Sequence, residues 1–371
     1  MAEEIAFKIS VYAKSDVGVV RSGNEDNFLV LNLSTADTWK PQGPDENPPT
    51  HLTTFSQSHY GSLIAVTDGM GGALAGEVAS RLAVECVRDR MLELQASPAY
   101  SKFPFPERLR FSIELANLYI YQMSAKRSEY TGMGATFTAV GLSGTTAYFG
   151  QVGDSRAYLI REGRIQQITR DQSLVGQLVE AGHLTEEEAE RHSYRNVILQ
   201  ALGASPNLNV VIDRLAIRDM DVLALCSDGL SNKVRPEEIK AVIDQGGSLK
   251  EACESLIQMA NERGGEDNIT VLIAQVSGGR LTPKEQTEEQ RTTALLTSDS
   301  GQHSLTDSGK HSLSDSGQQQ KWLERWGAET LVRHPDLPYH IDHDLLDDEE
   351  EATLPPEEDT IPPTEELDGE G

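Results

Sequence analysis

The chain has 371 residues, 38% of them hydrophobic, and a formal net charge of −27 at pH 7. Residues 281–371 hold 6 Lys or Arg against 23 Asp or Glu, so −17 of that charge lies in this last stretch. So acidic a chain repels nucleic-acid phosphates and anionic lipid, which excludes both as general partners; no apolar run reaches the roughly 18 residues of a membrane span, and MAEEIAFKIS lacks the basic-then-apolar plan of an export leader.

In chain order, Ile9, Val11 and Ala13 alternate with Lys8, Ser10 and Lys14, and Phe28 to Leu33 form a second short run, so both read as strands. Between them SDVGVVRSGNED is a polar, turn-forming loop fit to present side chains. The Pro-rich PQGPDENPPT reads as a surface insertion before an apolar strand at 62–67. Val78, Leu82, Cys86, Val87, Met91 and Leu94 recur at helical spacing, and a second stripe, Leu109, Ile113, Ala116, Ile120 and Met123, predicts a helix over 106–127. From Ala135 the period shortens to ATFTAVGL, TAYFGQVG, SRAYLIREG and RIQQIT, closely spaced strands expected to pair as antiparallel hairpins. Two short helices follow in 173–205, with a Thr185–Glu188 capping box. Strands NVVIDRLAI and VLALCSD, helices near 236–244 and 248–262, and a closing strand ITVLIAQV complete the pattern. Helices and antiparallel strands segregate, which predicts an α+β sandwich.

Cys86, Cys226 and Cys253 are dispersed and lack a C-x-x-C pair, as suits a reducing compartment, and each reads as a small buried hydrophobe. A cytoplasmic monomer is expected, with a folded domain over 1–280 and a low-complexity tail over 281–371. That tail repeats SDSGQHSL, TDSGKHSL and SDSGQQQK, then ends in an acidic, Pro-rich run, a composition expected to stay disordered. Segment 321–333, with Trp322 and Trp326, reads as a short docking element, and the Ser and Thr beside Asp read as kinase targets.

Two strand-like runs, SLIAVTDGMGG and VLALCSDGLSN, each deliver an aspartate followed by glycine. A carboxylate at the end of an apolar strand is costly unless a cation meets it. Asp26 in NEDNF, Asp68, Asp154 in VGDSR, Asp228 and Asp267 in GGEDNIT share this placement at strand ends beside Gly, Asn or Ser. Any one of them alone reads as a turn or a cap. Gathered together they cannot all stay ionised without a cation, and an all-oxygen set selects Mg²⁺ or Mn²⁺ over zinc.

The ordered motifs SDVGVVRSGNED, VTDGMGG, GMGATFTAV, VGDSRAYLI, CSDGLSN and GGEDNIT, spread over about residues 8–277, resemble the bacterial branch of the metal-dependent serine/threonine protein phosphatases, the protein phosphatase 2C-like family. The resemblance implies an α/β/β/α sandwich with a binuclear Mn²⁺ or Mg²⁺ centre at one edge. It further implies that Asp68 bridges the ions, Gly69 lends its carbonyl, Asp228 and Asp267 complete the centre, and Asp26 acts directly or through water. Asp154 with Asp228 matches a third, weaker site, and Arg21 matches the residue that grips the phosphoryl group. The implied reaction is in-line attack of a metal-bridging hydroxide on a phosphoserine or phosphothreonine monoester, without a phosphoenzyme, opposing Ser/Thr kinases in bacterial signalling. Residues 171–205 match a mobile flap. Met70 stands where animal-type members place a His, and Ala73, Ala135 and Gln172 depart from common family residues without touching a ligand position. An exposed or satisfied role is expected for His183 and His192, the flap's only histidines. Two rival readings are a catalytically silent phosphoprotein-binding relative, which the filled ligand positions disfavour, and a two-metal phosphodiesterase or nuclease, which the acidic surface disfavours.

Overall fold

The computed structural model describes residues 7–41, 48–97 and 103–278. The readings of the tail over 281–371, of its docking segment 321–333 and of most of the Pro-rich insertion lie outside these residues. The described strands are β1 (Lys8–Asp16), β2 (Asn27–Asn32), β3 (Asp37–Trp39), β4 (Thr54–Ser56), β5 (Ser62–Thr67), β6 (Gly69–Met70), β7 (Gly134–Ala135), β8 (Phe137–Ser143), β9 (Thr146–Val152), β10 (Arg156–Arg161), β11 (Arg164–Gln167), β12 (Val211–Ala216), β13 (Val222–Cys226) and β14 (Ile269–Ser277). The helices are α1 (Thr50–Thr53), α2 (Ala73–Ala96), α3 (Phe105–Lys126), α4 (Leu174–Glu180), α5 (Glu186–Arg191), α6 (Asp228–Ser231), α7 (Pro236–Asp244) and α8 (Leu249–Glu262).

One sheet runs β11-β10-β13-β14-β1-β4, the second runs β12-β9-β8-β5-β2-β3, and β6 pairs with β7 apart from both. Side-chain alternation then assigns the layers, because successive residues of a strand face opposite sides. Along β5, Leu63 and Ala65 pack toward α2 and α3, whereas Ile64 and Val66 face the opposite sheet. Along β14, Leu272, Ala274 and Val276 fill the space between sheets, whereas Val271 and Ile273 meet α7 and α8. Three apolar layers therefore separate four structural layers, and the architecture is an α/β/β/α sandwich.

Helix α8 illustrates the local logic. Ser248 Oγ accepts the Glu251 N–H (3.2 Å) while Glu251 Oε2 accepts the Ser248 N–H (2.8 Å), a reciprocal cap on orphan donors. Cys253, Leu256, Ile257 and Ala260 then recur at helical spacing and bury against the sheet. The box expected at Thr185 forms in the same way on α5. All three cysteines are buried free thiols, and burial pushes the Cys226 thiol up to about 12.

The four short strands after Ala135 pair as two antiparallel hairpins, β8 with β9 and β10 with β11, and the two hairpins belong to different sheets. Strands β9 and β10 are each already flanked on both edges, β9 by β8 and β12, β10 by β11 and β13. The chain crosses between sheets at Gly153–Ser155, where Thr138 Oγ1 donates to the Ser155 carbonyl (2.7 Å) and Thr136 and Ser155 share a hydroxyl hydrogen bond (2.8 Å). That crossing sets Asp154 at the end of the sandwich. No helix among the described residues is long and apolar enough to cross a membrane.

Candidate metal centre

Strand register gathers the acidic residues. Asn27 pairs with Thr67, so the start of β2 brings Asp26 beside Asp68 at the end of β5. Cys226 pairs with Val271 and also with Arg156, so the end of β13 brings Asp228 near both Asp267, just before β14, and Asp154 in the sheet crossing. Asp68 is fixed through its backbone: its N–H donates to Thr136 Oγ1 (2.9 Å) and its carbonyl accepts the Thr136 N–H (2.8 Å). Gly69 follows as the first residue of β6, where a Cβ would lie 2.1 Å from the Gly76 carbonyl oxygen and 2.8 Å from that of Glu25. Only a residue without a side chain fits between these two backbones.

Asp26 is buried, and its Oδ2 accepts from the Ser227 hydroxyl (2.6 Å), which itself accepts the Thr270 N–H (2.9 Å). Asp228 opens α6 and accepts from Asn232 Nδ2 (3.1 Å). Asp267 accepts its neighbour's N–H from Asn268 (2.9 Å) and the guanidinium of Arg21 (3.0 Å). Arg21 is exposed, so the structure sets this phosphoryl-binding candidate against a candidate ligand at the mouth of the cluster.

The five carboxylates feel one another. Burial holds the Asp68 carboxyl well above the usual range, with Asp26, Asp228, Asp154 and Asp267 each adding repulsion. Asp26 is pushed up to about 7, by burial first, with the Ser227 and Thr270 hydroxyls opposing and Asp228 and Asp267 adding. Asp154 also rises to about 7, again by burial, with Asp228 and Asp171 contributing. Burial and Asp267 raise Asp228. A sixth acid, Glu25, is raised by burial and lies against Gly76; its neighbour Asp26 carries the strand-end signal, which hid it in the sequence.

Three oxygens in this group, Asp26 Oδ1, Asp154 Oδ1 and Asp228 Oδ1, are buried without a hydrogen-bond partner. Unmatched carboxylate oxygens at mutually repelling groups are what a hard cation satisfies. Among the described residues no three His, Cys, Asp or Glu side chains stand close enough together to hold a metal ion as they are placed. Mg²⁺ keeps several waters and takes only one or two carboxylates, so an open oxygen cluster fits such an ion where a zinc cage would not.

Residues silent in the sequence hold this arrangement. Asn268 donates to the carbonyls of Val17 and Gly23 (2.9 Å each) and accepts the Glu25 N–H (2.8 Å), tying the Arg21 loop to β14. At the base of segment 171–205, Arg156 grips Asp171 with Nε (3.0 Å) and Nη2 (2.6 Å), and Ser173 bridges to Ile198. His183 is exposed, and His192 accepts the Tyr194 N–H (3.2 Å), as expected of satisfied or solvated histidines.

The family model described as Protein phosphatase 2C matches residues 51–273, a span that excludes Arg21 and Asp26. The chain is 33% identical over 262 residues to the serine/threonine phosphatase stp of Listeria welshimeri, covering 71% of this chain and 94% of that protein. It resembles the crystal structure of the Mycobacterium tuberculosis serine/threonine phosphatase PstP/Ppp at a TM-score of 0.58 and 31% identity, over 73% of this chain and 99% of the other. A structure of the PstP catalytic domain in complex with two manganese ions matches with the same TM-score, identity and coverage. The chain therefore belongs to the protein phosphatase 2C family, as a serine/threonine protein phosphatase of the bacterial type.

Proposed function

We propose that the chain hydrolyses phosphoserine and phosphothreonine monoesters of proteins in a reaction that requires Mn²⁺ or Mg²⁺. The observation that carries this reading is the set of buried, unpartnered oxygens on Asp26, Asp154 and Asp228 within one mutually repelling field. Two bound cations would supply a water nucleophile activated at neutral pH and Lewis-acid stabilisation of the phosphoryl oxygens.

The protein's own groups do the rest. Asp68, the Gly69 carbonyl, Asp228 and Asp267 would hold the pair of ions, with Asp26 contributing directly or through water, and Asp154 with Asp228 would hold a third, weaker ion. Arg21 exchanges its partner: its pair with Asp267 leaves 48% and 39% of the two side chains exposed, and exposed pairs contribute only about 0–1 kcal/mol. With Asp267 engaged elsewhere, the planar guanidinium would be free to hold two phosphoryl oxygens and offset their transition-state charge. The enzyme acts as a cytoplasmic monomer that opposes a Ser/Thr kinase, with segment 171–205 as its flap.

Purified full-length protein should release phosphate from phosphothreonine and phosphoserine peptides with Mn²⁺, lose that activity in chelator, and leave a phosphodiester such as bis-p-nitrophenyl phosphate comparatively untouched. Equal activity with chelator present, or a preference for the diester, would overturn the proposal.

A further inference from the structure

The loop between β1 and β2 exposes two valines, the first with one methyl group against Gly265. Val19 and Val20 are 66% and 67% exposed, and neither joins any of the three apolar layers. Single exposed valines in a slack loop are ordinary. This loop is held along its length. The Val19 and Val20 N–H groups both donate to the Gly265 carbonyl (2.8 and 3.3 Å), the Gly18 N–H donates to Asp16 Oδ1 (2.9 Å), and Asn268 clasps Val17 and Gly23. Gly18 adopts φ +79°, and a Cβ there would lie 2.3 Å from the Asp267 carbonyl oxygen, so the loop lies directly on the segment that carries a candidate ligand. The next residue after the valines is Arg21, whose guanidinium rests on Asp267.

We infer that Val19 and Val20 form a pre-set apolar platform that touches the protein substrate beside its phosphorylated residue. The enzyme then selects sites that carry a bulky aliphatic or aromatic residue within two positions of the phosphoserine or phosphothreonine. The occupant is the substrate itself, because the platform is continuous with the residue that holds the phosphoryl group. An extended chain advances about 3.3–3.6 Å per residue, so flanking side chains fall over the valines once the phosphate is on Arg21. A platform fixed before binding loses little entropy on contact, so its apolar area is available for discrimination. This inference rests on the phosphatase reading and on Arg21 as the phosphoryl-binding residue.

The test uses the full chain with saturating Mn²⁺ and two phosphothreonine peptides, alike except for leucine or serine on both sides of the phosphothreonine. Each kcat/KM is divided by the rate on p-nitrophenyl phosphate, which has no flanking residues. The wild type should favour the leucine peptide by roughly fivefold or more. The V19S/V20S double variant should bring that ratio below about two, mainly by raising KM for the leucine peptide, while V19L/V20L keeps it. Turnover of all three substrates with equal peptide rates in the wild type, or an undiminished preference in V19S/V20S, overturns the platform alone. Failure to turn over any of the three with Mn²⁺ overturns the phosphatase reading and the platform with it.

Discussion

The hydroxyl of Ser227 shows how much of the centre depends on residues that bear no charge. It is fully buried and spans the two sheets, donating to Asp26 Oδ2 while accepting from the Thr270 backbone. With Oδ2 so held, Oδ1 is the oxygen left for a cation. Ser227→Ala should therefore weaken Mn²⁺ affinity by about 10–100-fold, the range for outer-shell partners, read by calorimetric titration, and, by leaving the buried Thr270 N–H unpaired, should also cost about 1–3 kcal/mol of stability in chelator. Among the candidate ligands, Asp68 has the most neighbours to reconcile, and Asp68→Asn should lower kcat by roughly 10³-fold or more. Asp228→Asn should cost less if, as proposed, Asp228 serves one ion of the pair and shares a third; equal losses in steady-state assays would contradict that division. The five aspartates were legible in the sequence because an acid stranded at the end of an apolar strand is an energetic oddity. Ser227 was not, since an ordinary serine acquires its meaning from a partner 201 residues away.

At the scale of elements, long periodic segments declared themselves and short ones did not. The stripes on α2 and α3, the capped start of α5 and the apolar runs of β5 and β13 all follow from local pattern. Two-residue β6 and β7 and four-residue α6 are too short to show a period. The β9–β10 crossing between sheets was silent for a different reason: alternation states which residues are buried but not which sheet a strand joins, and two short strands with a tight connection look the same either way. Gly69 shows what an element boundary demands. Gly69→Ala drives a methyl group into the Gly76 and Glu25 backbones, neither of which can rotate aside. It should cost about 3 kcal/mol, the upper end for overpacking, and lower the melting temperature by roughly 6–10 °C. A shift of under 2 °C in a thermal melt would mean that the turn relaxes freely.

For the molecule as a whole, the acidic cluster is a weak point that a bound cation would repair. Asp26 and Asp154 titrate at about 7 when folded and near 3.9 when unfolded. Between those values the folded state binds more protons than the unfolded state, so the stabilising contribution of the protonated groups is complete below about pH 4 and is lost as pH rises through about 7. Chelated protein should thus melt at progressively lower temperature from pH 5 to pH 7.5, while saturating Mn²⁺ should raise the melting temperature most at the upper end; a pH-independent metal effect would contradict the linkage. The layered sandwich was readable from the sequence because it follows from alternating apolar faces. The register that converges five acids from distant segments became visible only in the paired strands. A calorimetric Mn²⁺ titration of the metal-free full chain, in the wild type and in Asp68→Asn, tests the two-metal proposal at its root. At least two ions should bind per wild-type chain and that binding should collapse in the variant; no binding by the wild type, or an unchanged isotherm in Asp68→Asn, would contradict the proposal.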